Sequence, residues 1–290
     1  MTSIIIPAYN EGRTIERCLR SILADAKPGE FEIVVVCNGC KDDTAARART
    51  FEDQGVRVLE TEVPSKSNAL NLGDTAASSF PRFYIDADIE LDAAAIRDVE
   101  SLLRNDSDIL VAAPKAVVDY RARNPLVRSF YEVWTRLPYF TEGVIGAGVY
   151  AFSEEGRKRF DRFPDIIADD EFARLQVAPH ERRCSQRSTF KITPPTSLRD
   201  IVNIKTRVRA GNYELRERFP ELQRNNNTSS GRSLQVILRS PNLWPHAPVY
   251  LGVMALAKLR AHRKLRNQQH KVWERDESSR AEFGSGERST

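Results

Sequence analysis

The stretch FYIDADIELD, residues 83–92, ends an apolar run of Phe83, Tyr84 and Ile85 with Asp86 and Asp88 separated by Ala87, and follows them with Glu90 and Asp92. Two aspartates at i and i+2 on a straight strand point the same way, and where the strand ends both can be aimed at one point. Like charges held that close raise each other's pKa unless a cation lies between them. A hard divalent cation with oxygen ligands, Mg²⁺ or Mn²⁺, is the natural neutraliser, and it typically brings a phosphate with it. The structural alternative is that Asp88 caps the next helix and Asp86 is a solvated turn residue. A second cluster bears on the choice. FPDIIADDEFARL, residues 163–175, sets Asp169, Asp170 and Glu171 directly after the apolar Ile166-Ile167-Ala168. The positive end of a helix accounts for one or two such acids, not for a third. A carboxylate beside a metal-bound diphosphate is what a general base needs to deprotonate a hydroxyl nucleophile.

Groups of this kind need a frame. Residues 3–9, 31–39, 56–61 and 82–88 read as short apolar strands, and 11–25, 42–55, 66–78 and 91–105 read as helices between them. Near-continuous apolar strands alternating with helices predict an α/β fold with an open, doubly wound, mostly parallel sheet covered on both faces. Such sheets bind ligands at the carboxyl ends of their strands. Those ends carry Tyr9-Asn10-Glu11, Asn38-Gly39 and Asp86-Ala87-Asp88. Residues 108–119 read as one or two further strands. Phe130, Tyr131, Trp134 and Phe140 form an aromatic helical stripe for which core is the favoured reading.

With 290 residues the chain can build one large domain or one domain plus an appendage, and a net charge of +4 gives no protein-wide nucleic-acid footprint. The opening MTSIIIPAYN reads as a strand and not as a signal peptide. Four cysteines show no disulfide framework, which points to a reducing, cytoplasmic setting. CNGC at 37–40 has no second ligand pair at zinc spacing, and its Asn-Gly reads as a turn. The run 247–257 is too short to span a bilayer. Seven Lys/Arg face one acid between Lys258 and Arg275, so the segment reads as an interfacial helix drawn to an anionic leaflet, or as a core-packed helix with a solvated basic end.

Taken in order, these segments resemble the inverting family-2 glycosyltransferases of GT-A fold. SIIIPAYNEGRTIERCLRSI is similar to their opening, VVVCNGCKDDT to their second nucleotide-binding turn, KSNALNLG to their Lys-x-x-Ala-Leu-Asn-x-Gly segment, DAD to their Asp-x-Asp motif and ADDEF to their acidic base motif. The resemblance covers about residues 1–210. It implies a GT-A catalytic domain over 1–210; charge and composition read as a basic helical extension over 211–276 and a disordered tail over 277–290. It implies that Pro7, Ala8, Tyr9 and Glu11 line the base and ribose of a nucleoside-diphosphate sugar, with Asn38 where the family commonly has an aspartate. It implies Lys66 on the donor's phosphates or sugar, and Asp88 on the Mg²⁺ or Mn²⁺. Asp86 falls on the ribose or the metal shell, Ala87 between the two. Asp170 matches the catalytic base, with Asp169 second, and Gly146, Ala147 and Gly148 match the acceptor-side loop.

The implied reaction moves a sugar onto a hydroxyl acceptor with inversion, in surface polysaccharide, glycolipid or related glycan synthesis. The acceptor is a glycan, a lipid-linked or a small molecule, reached at the inner face of the membrane; nucleic acid is not a partner. Arg207 and Arg209 are candidates for the diphosphate, and His180 for a ligand, with a solvated or structural role the commoner fate of such residues. A nucleotidyltransferase lacks its Gly-rich phosphate loop here, a dehydrogenase lacks GxGxxG after the first strand, and a non-catalytic sugar-nucleotide binder does not need two acidic clusters.

Overall fold

The computed structural model describes residues 1–141, 147–227 and 230–266. Its sheet begins with four strands built from the apolar runs: β1 (Thr2–Ala8), β2 (Phe31–Asn38), β3 (Val56–Thr61) and β4 (Arg82–Ile85). All seven residues of β1 are buried, as expected of a central strand with both faces covered. β1 pairs in parallel with β2, Ile4 opposite Ile33, and with β4, Ile4 opposite Phe83, while β2 pairs in parallel with β3. The crossovers are α1 (Ile15–Leu23), α2 (Thr44–Arg49) and α3 (Lys66–Ala76). Helix α3 lies close against the sheet because Gly73 has no side chain: a Cβ there would stand 2.5 Å from Ile5 Cγ2.

After α4 (Ala93–Asn105) come β5 (Val111–Val118) and β6 (Val149–Phe152). β6 inserts between β4 and β5 and runs antiparallel to both, so the sheet is mostly but not wholly parallel. The order of the seven strands is β3-β2-β1-β4-β6-β5-β7, with β7 (Arg182–Ile192) at the edge. β7 was not foreseen from the sequence, because RRCSQRSTFKI carries too few apolar residues to register as a strand.

The described residues fall into two compact units. Residues 1–116, 147–165 and 169–191 form one, and 117–141, 166–168, 192–227 and 230–266 the other. Within the first, Asp74 of α3 ties three elements together. Its Oδ1 accepts from Arg82 Nη1 and from the Tyr84 hydroxyl, both at 2.6 Å, and its Oδ2 accepts from Arg157 Nε at 2.7 Å, Arg157 closing the short helix α7 (Glu154–Arg157).

The second unit is helical: α5 (Pro125–Trp134), α6 (Pro138–Thr141), α9 (Leu198–Arg218), α10 (Ser230–Arg239) and α11 (Ala247–Arg266). Phe130 and Tyr131 sit in its core with Ile201, Leu243 and Tyr250, and Trp134 and Phe140 pack against that cluster. The aromatic stripe is therefore core. Helix α11 buries Ala247, Tyr250, Val253, Ala257 and Ala261 at helical spacing, while Leu251, Leu256 and Leu259 remain exposed. Sequence reasoning offered a core-packed helix or an interfacial one as alternatives. The helix has a buried stripe and also an exposed apolar one. Among the described residues no helix is long and apolar enough to cross a membrane.

Candidate active site

Three strand ends and two helix starts in the first unit carry the predicted site. After β1 the chain turns through Tyr9, Asn10 and Glu11. Asn10 adopts φ 50°, a left-handed conformation that Asn tolerates better than most residues, and its Oδ1 accepts the Lys41 amide at 2.6 Å. Buried Glu11 donates its amide to Thr44 Oγ1 at 2.7 Å, and its Oε2 accepts from Thr14 Oγ1 at 2.8 Å. The Gly12 amide donates to Asp42 Oδ2 at 3.1 Å. The loops after β1 and β2 are thus laced into one surface, using Asp42 and Thr44, which sequence reasoning did not single out although both belong to the CKDDT that follows Asn38.

Asn38 is buried at the end of β2 and donates Nδ2–H to the Ala8 carbonyl at 2.9 Å. An aspartate, having no donor, could not make that bond. Next to it, Cys40 Sγ accepts from the Asn10 amide at 3.3 Å, and all four cysteines are free. Hydrogen bonding from Cys37 lowers the Cys40 thiol to about 6, with the Asn10 amide and Thr44 acting in the same direction against the opposing effect of burial.

At the end of β4 the acids of FYIDADIELD separate into distinct roles. Asp86 binds Lys66 Nζ at 2.8 Å, Glu90 binds Arg17 at 2.8 Å, and Asp92 caps α4 by accepting the Ala95 amide at 2.7 Å. Asp88 is exposed. The helix cap that sequence reasoning offered Asp88 is thus filled by Asp92. Ala87 is buried and fixes the turn, which closes with the Ile89 amide on the Asp86 carbonyl at 3.0 Å. The Asp86 amide donates to the Gly148 carbonyl at 2.8 Å. Gly148 has φ 94°, and a Cβ there would stand 3.1 Å from Ile89 and 3.4 Å from Asp86 Oδ2. Ala147 precedes it, and Gly146 lies outside the described residues.

The acids that open α8 (Asp169–Leu175) divide in the same way. Buried Asp169 meets Lys66 Nζ at 3.2 Å through Oδ2, and Glu171 holds buried Arg174 with two contacts of 2.7 and 2.5 Å. Asp170 forms no ion pair among the described residues; its Oδ1 accepts the Glu171 amide at 2.7 Å. Burial, and then the charge of Asp169, push the Asp170 carboxyl up to about 7, and burial likewise raises Asp169. Lys66 follows the Ser65 cap of α3. Burial alone would lower it, but Asp169, Asp86 and Asp170 together hold its ammonium charged well beyond the usual lysine range. One lysine therefore binds carboxylates from two separate motifs. His180 is exposed in a 3-10 turn (Pro179–Glu181), and Arg207 and Arg209 lie on α9 in the second unit.

The donor set at the end of β4 suits a hard cation. Among the described residues no group of three or more His, Cys, Asp and Glu is placed to hold a metal by itself. Mg²⁺-type ions are commonly held by one or two carboxylates together with substrate phosphates, not by an all-protein cage. Asp86, half-buried, and Asp88, exposed, offer such a pair of oxygen ligands.

Comparison with known proteins agrees with this architecture. The family model described as Glycosyl transferase family 2 matches residues 3–163, and the chain belongs to that family. Glycosyltransferase AglD of Haloferax volcanii is 31% identical over 179 residues, 58% of this chain and 28% of that protein. The matched segments span 19 to 42% of the length of the first curated relatives. A mannosyltransferase from Pyrobaculum calidifontis, solved with GDP-Man and Mn²⁺, superposes with a TM-score of 0.58 at 19% identity, covering 98% of this chain and 83% of its own. Glucosyl-3-phosphoglycerate synthase from Mycobacterium tuberculosis, solved with Mn²⁺, UDP-glucose and phosphoglyceric acid, superposes at 0.52 with 21% identity over 74% of this chain and 79% of its own. At those identities the likeness is one of fold, which is GT-A.

Proposed function

We propose that the chain is a metal-dependent inverting glycosyltransferase that moves a sugar from a nucleoside diphosphate to a hydroxyl acceptor. The observation that carries this reading is the Lys66 ammonium bridging Asp86 and Asp169, with Asp170 next in the chain, in no ion pair among the described residues and with its carboxyl pushed up to about 7. In this reading Pro7, Ala8, Tyr9, Glu11 and Asn38 line the nucleotide, and Gly146, Ala147 and Gly148 line the acceptor side. Asp88 holds the metal directly and Asp86 shares it. A bound Mg²⁺ or Mn²⁺ supplies Lewis-acid neutralisation of the diphosphate. Lys66 binds the same phosphates and stabilises the leaving group. Asp170 keeps Oδ1 on the Glu171 amide and takes the acceptor's proton at Oδ2 as the acceptor oxygen bonds to the anomeric carbon and the bond from that carbon to the phosphate oxygen breaks. A carboxyl near 7 is suited to that transfer, because a general base works best when its pKa is close to the working pH. The GDP-Man and UDP-glucose complexes of the structural neighbours with Mn²⁺ support this donor class and metal.

Residues 1–210 carry the reaction and 211–276 form a basic extension. The exposed Leu251, Leu256 and Leu259 of α11, with Leu234, Leu238 and Trp244 of the same unit, support peripheral contact with the anionic inner face of the cell membrane and hence a lipid-linked or glycan acceptor. The deciding experiment screens sugar nucleotides with Mg²⁺ and Mn²⁺ for nucleoside diphosphate release that depends on a hydroxyl acceptor. Release of pyrophosphate, or of nothing from any donor, removes the reading.

A further inference from the structure

Tyr150 of β6 is stacked on Tyr84 of β4, ring centroids 5.1 Å apart, and the two are directly opposed across the antiparallel pair. Opposed residues share a face of the sheet, and Gly148, two positions before Tyr150, approaches the Asp86 carboxylate, which a Cβ there would meet at 3.4 Å. On that face the two phenols differ in one respect. The Tyr84 hydroxyl donates to Asp74 at 2.6 Å, whereas the Tyr150 hydroxyl is buried with no hydrogen-bond partner among the described residues. Tyr150 is 4% exposed, so its hydroxyl is shielded from bulk water. Packing alone would be served by phenylalanine, because a buried hydroxyl without a partner is destabilising.

The same neighbourhood holds a matching acceptor. Asp169 Oδ2 is buried and meets its counter-ion Lys66 Nζ at 3.2 Å, with no other hydrogen-bond partner among the described residues. After the effect of burial, the charge of Asp169 is the strongest influence holding the Tyr150 phenol protonated, ahead of Tyr84, Asp170 and Asp86.

We propose that Tyr150 is a positioning residue of the transfer reaction, its hydroxyl donating to Asp169 once the donor's diphosphate draws Lys66 away. The inference rests on the function proposed above. Lys66 cannot serve the diphosphate and remain the counter-ion of Asp169 with equal strength. A buried carboxylate that loses its cation needs a donor, and the Tyr150 hydroxyl is a buried donor with no other partner among the described residues. Held this way, Asp169 keeps the first turn of α8 in place and with it Asp170. The acceptor's proton still goes to Asp170, and no proton leaves Tyr150.

The test is Tyr150→Phe, read by kinetics and by unfolding. The variant is expected to keep or raise the thermal midpoint of the ligand-free protein, since it removes an unpartnered buried hydroxyl. Its kcat is expected to fall about 10- to 100-fold, the worth of one hydrogen bond to a charged group, with the donor KM within about twofold of wild type, because the bond forms only on the way to transfer. On a Lys66→Met background, where Asp169 has already lost its cation, the same substitution is expected to lower the midpoint. Wild-type kcat in Tyr150→Phe overturns the inference. So does an equal fall in midpoint on both backgrounds, which marks a purely structural tyrosine. Absence of nucleoside diphosphate release by the wild-type protein removes the proposed function instead, and the unfolding cycle still decides the Tyr150–Asp169 pairing.

Discussion

The sharpest expectation falls on Asp170, the proposed base. Asp170→Asn keeps the shape of the α8 start and removes the base, so transfer is expected to fall by roughly 10²–10⁴ while calorimetry still finds nucleoside diphosphate binding. Normal turnover in that variant removes Asp170 from the role. The pH dependence follows from the same group. An unfolded aspartate titrates near ~4, whereas Asp170 in the fold titrates at about 7. The base must be ionised to act, so kcat/KM is expected to rise with pH along a limb near 7. Stability runs the other way. Between those values the folded protein holds the proton more tightly than the unfolded chain, so this group's contribution is full below ~4 and lost as pH rises through 7. Thermal midpoints of Asp170→Asn and wild type measured from pH 5 to 8 should diverge accordingly, the variant lacking this loss. A further residue-scale outcome concerns Cys40. With its thiol near 6 and partly exposed, it should alkylate with iodoacetamide ahead of Cys18, Cys37 and Cys184, which burial or the Cys37–Cys40 hydrogen bond raises. Peptide mapping after brief labelling at pH 7 reads the order directly.

At the scale of elements, the acids become useful only because short segments end where they do. β4 stops at Ile85, so Asp86 and Asp88 leave the strand in a turn held by Gly148, the residue just before β6. Gly148→Val places a Cβ against Ile89 in a left-handed conformation and is expected to cost ~1–3 kcal/mol by strain and to weaken donor-dependent turnover by displacing Asp86. Unfolding and kinetics of the purified variant check both. Helix α11 shows why removing residues 240–290 would be a poor test of membrane contact: it would also remove Tyr250, Val253, Ala257 and Ala261 from the core of the second unit. Exchanging Leu251, Leu256 and Leu259 for serine leaves that stripe intact. The triple variant is expected to keep the thermal midpoint and lose flotation with phosphatidylglycerol liposomes. Unchanged flotation would remove the peripheral contact.

For the whole molecule, the expected signature is stabilisation by ligand. Anything that binds the folded state alone raises stability with its concentration over Kd, by ~2.7 kcal/mol at a hundredfold excess. UDP or GDP with Mn²⁺ is therefore expected to raise the midpoint, and chelation by EDTA to abolish the gain. An equal gain without metal would argue against Asp86 and Asp88 as ligands. The division of the chain also matters here. The first unit takes in residues 147–165 and 169–191 besides 1–116, so the strand bearing Tyr150 and the helix bearing Asp169 and Asp170 follow, along the chain, a stretch that belongs to the second unit.

Much of this could be read from residues in order. Apolar runs separated by amphipathic helices determine a parallel α/β sheet, because only strands buried on both faces are apolar throughout. The order of five short motifs along that sheet points to the family and to Asp86, Asp88, Lys66 and the Asp169–Asp170 pair. Tertiary structure alone decided which carboxylate meets which cation. Asp86 and Asp169 are 83 positions apart and meet on one ammonium, Glu171 is taken by Arg174, and Asp92 caps α4 where Asp88 was a candidate. It also decided that β6 runs against its neighbours, which sets Tyr150 beside Tyr84, and that Asp74 pairs with Arg82 and Arg157. Local sequence carries propensity and period, which concern neighbours along the chain. Partnership between charges depends on distances closed only by folding, and identical side chains in identical local patterns acquire different partners when the sheet brings them together.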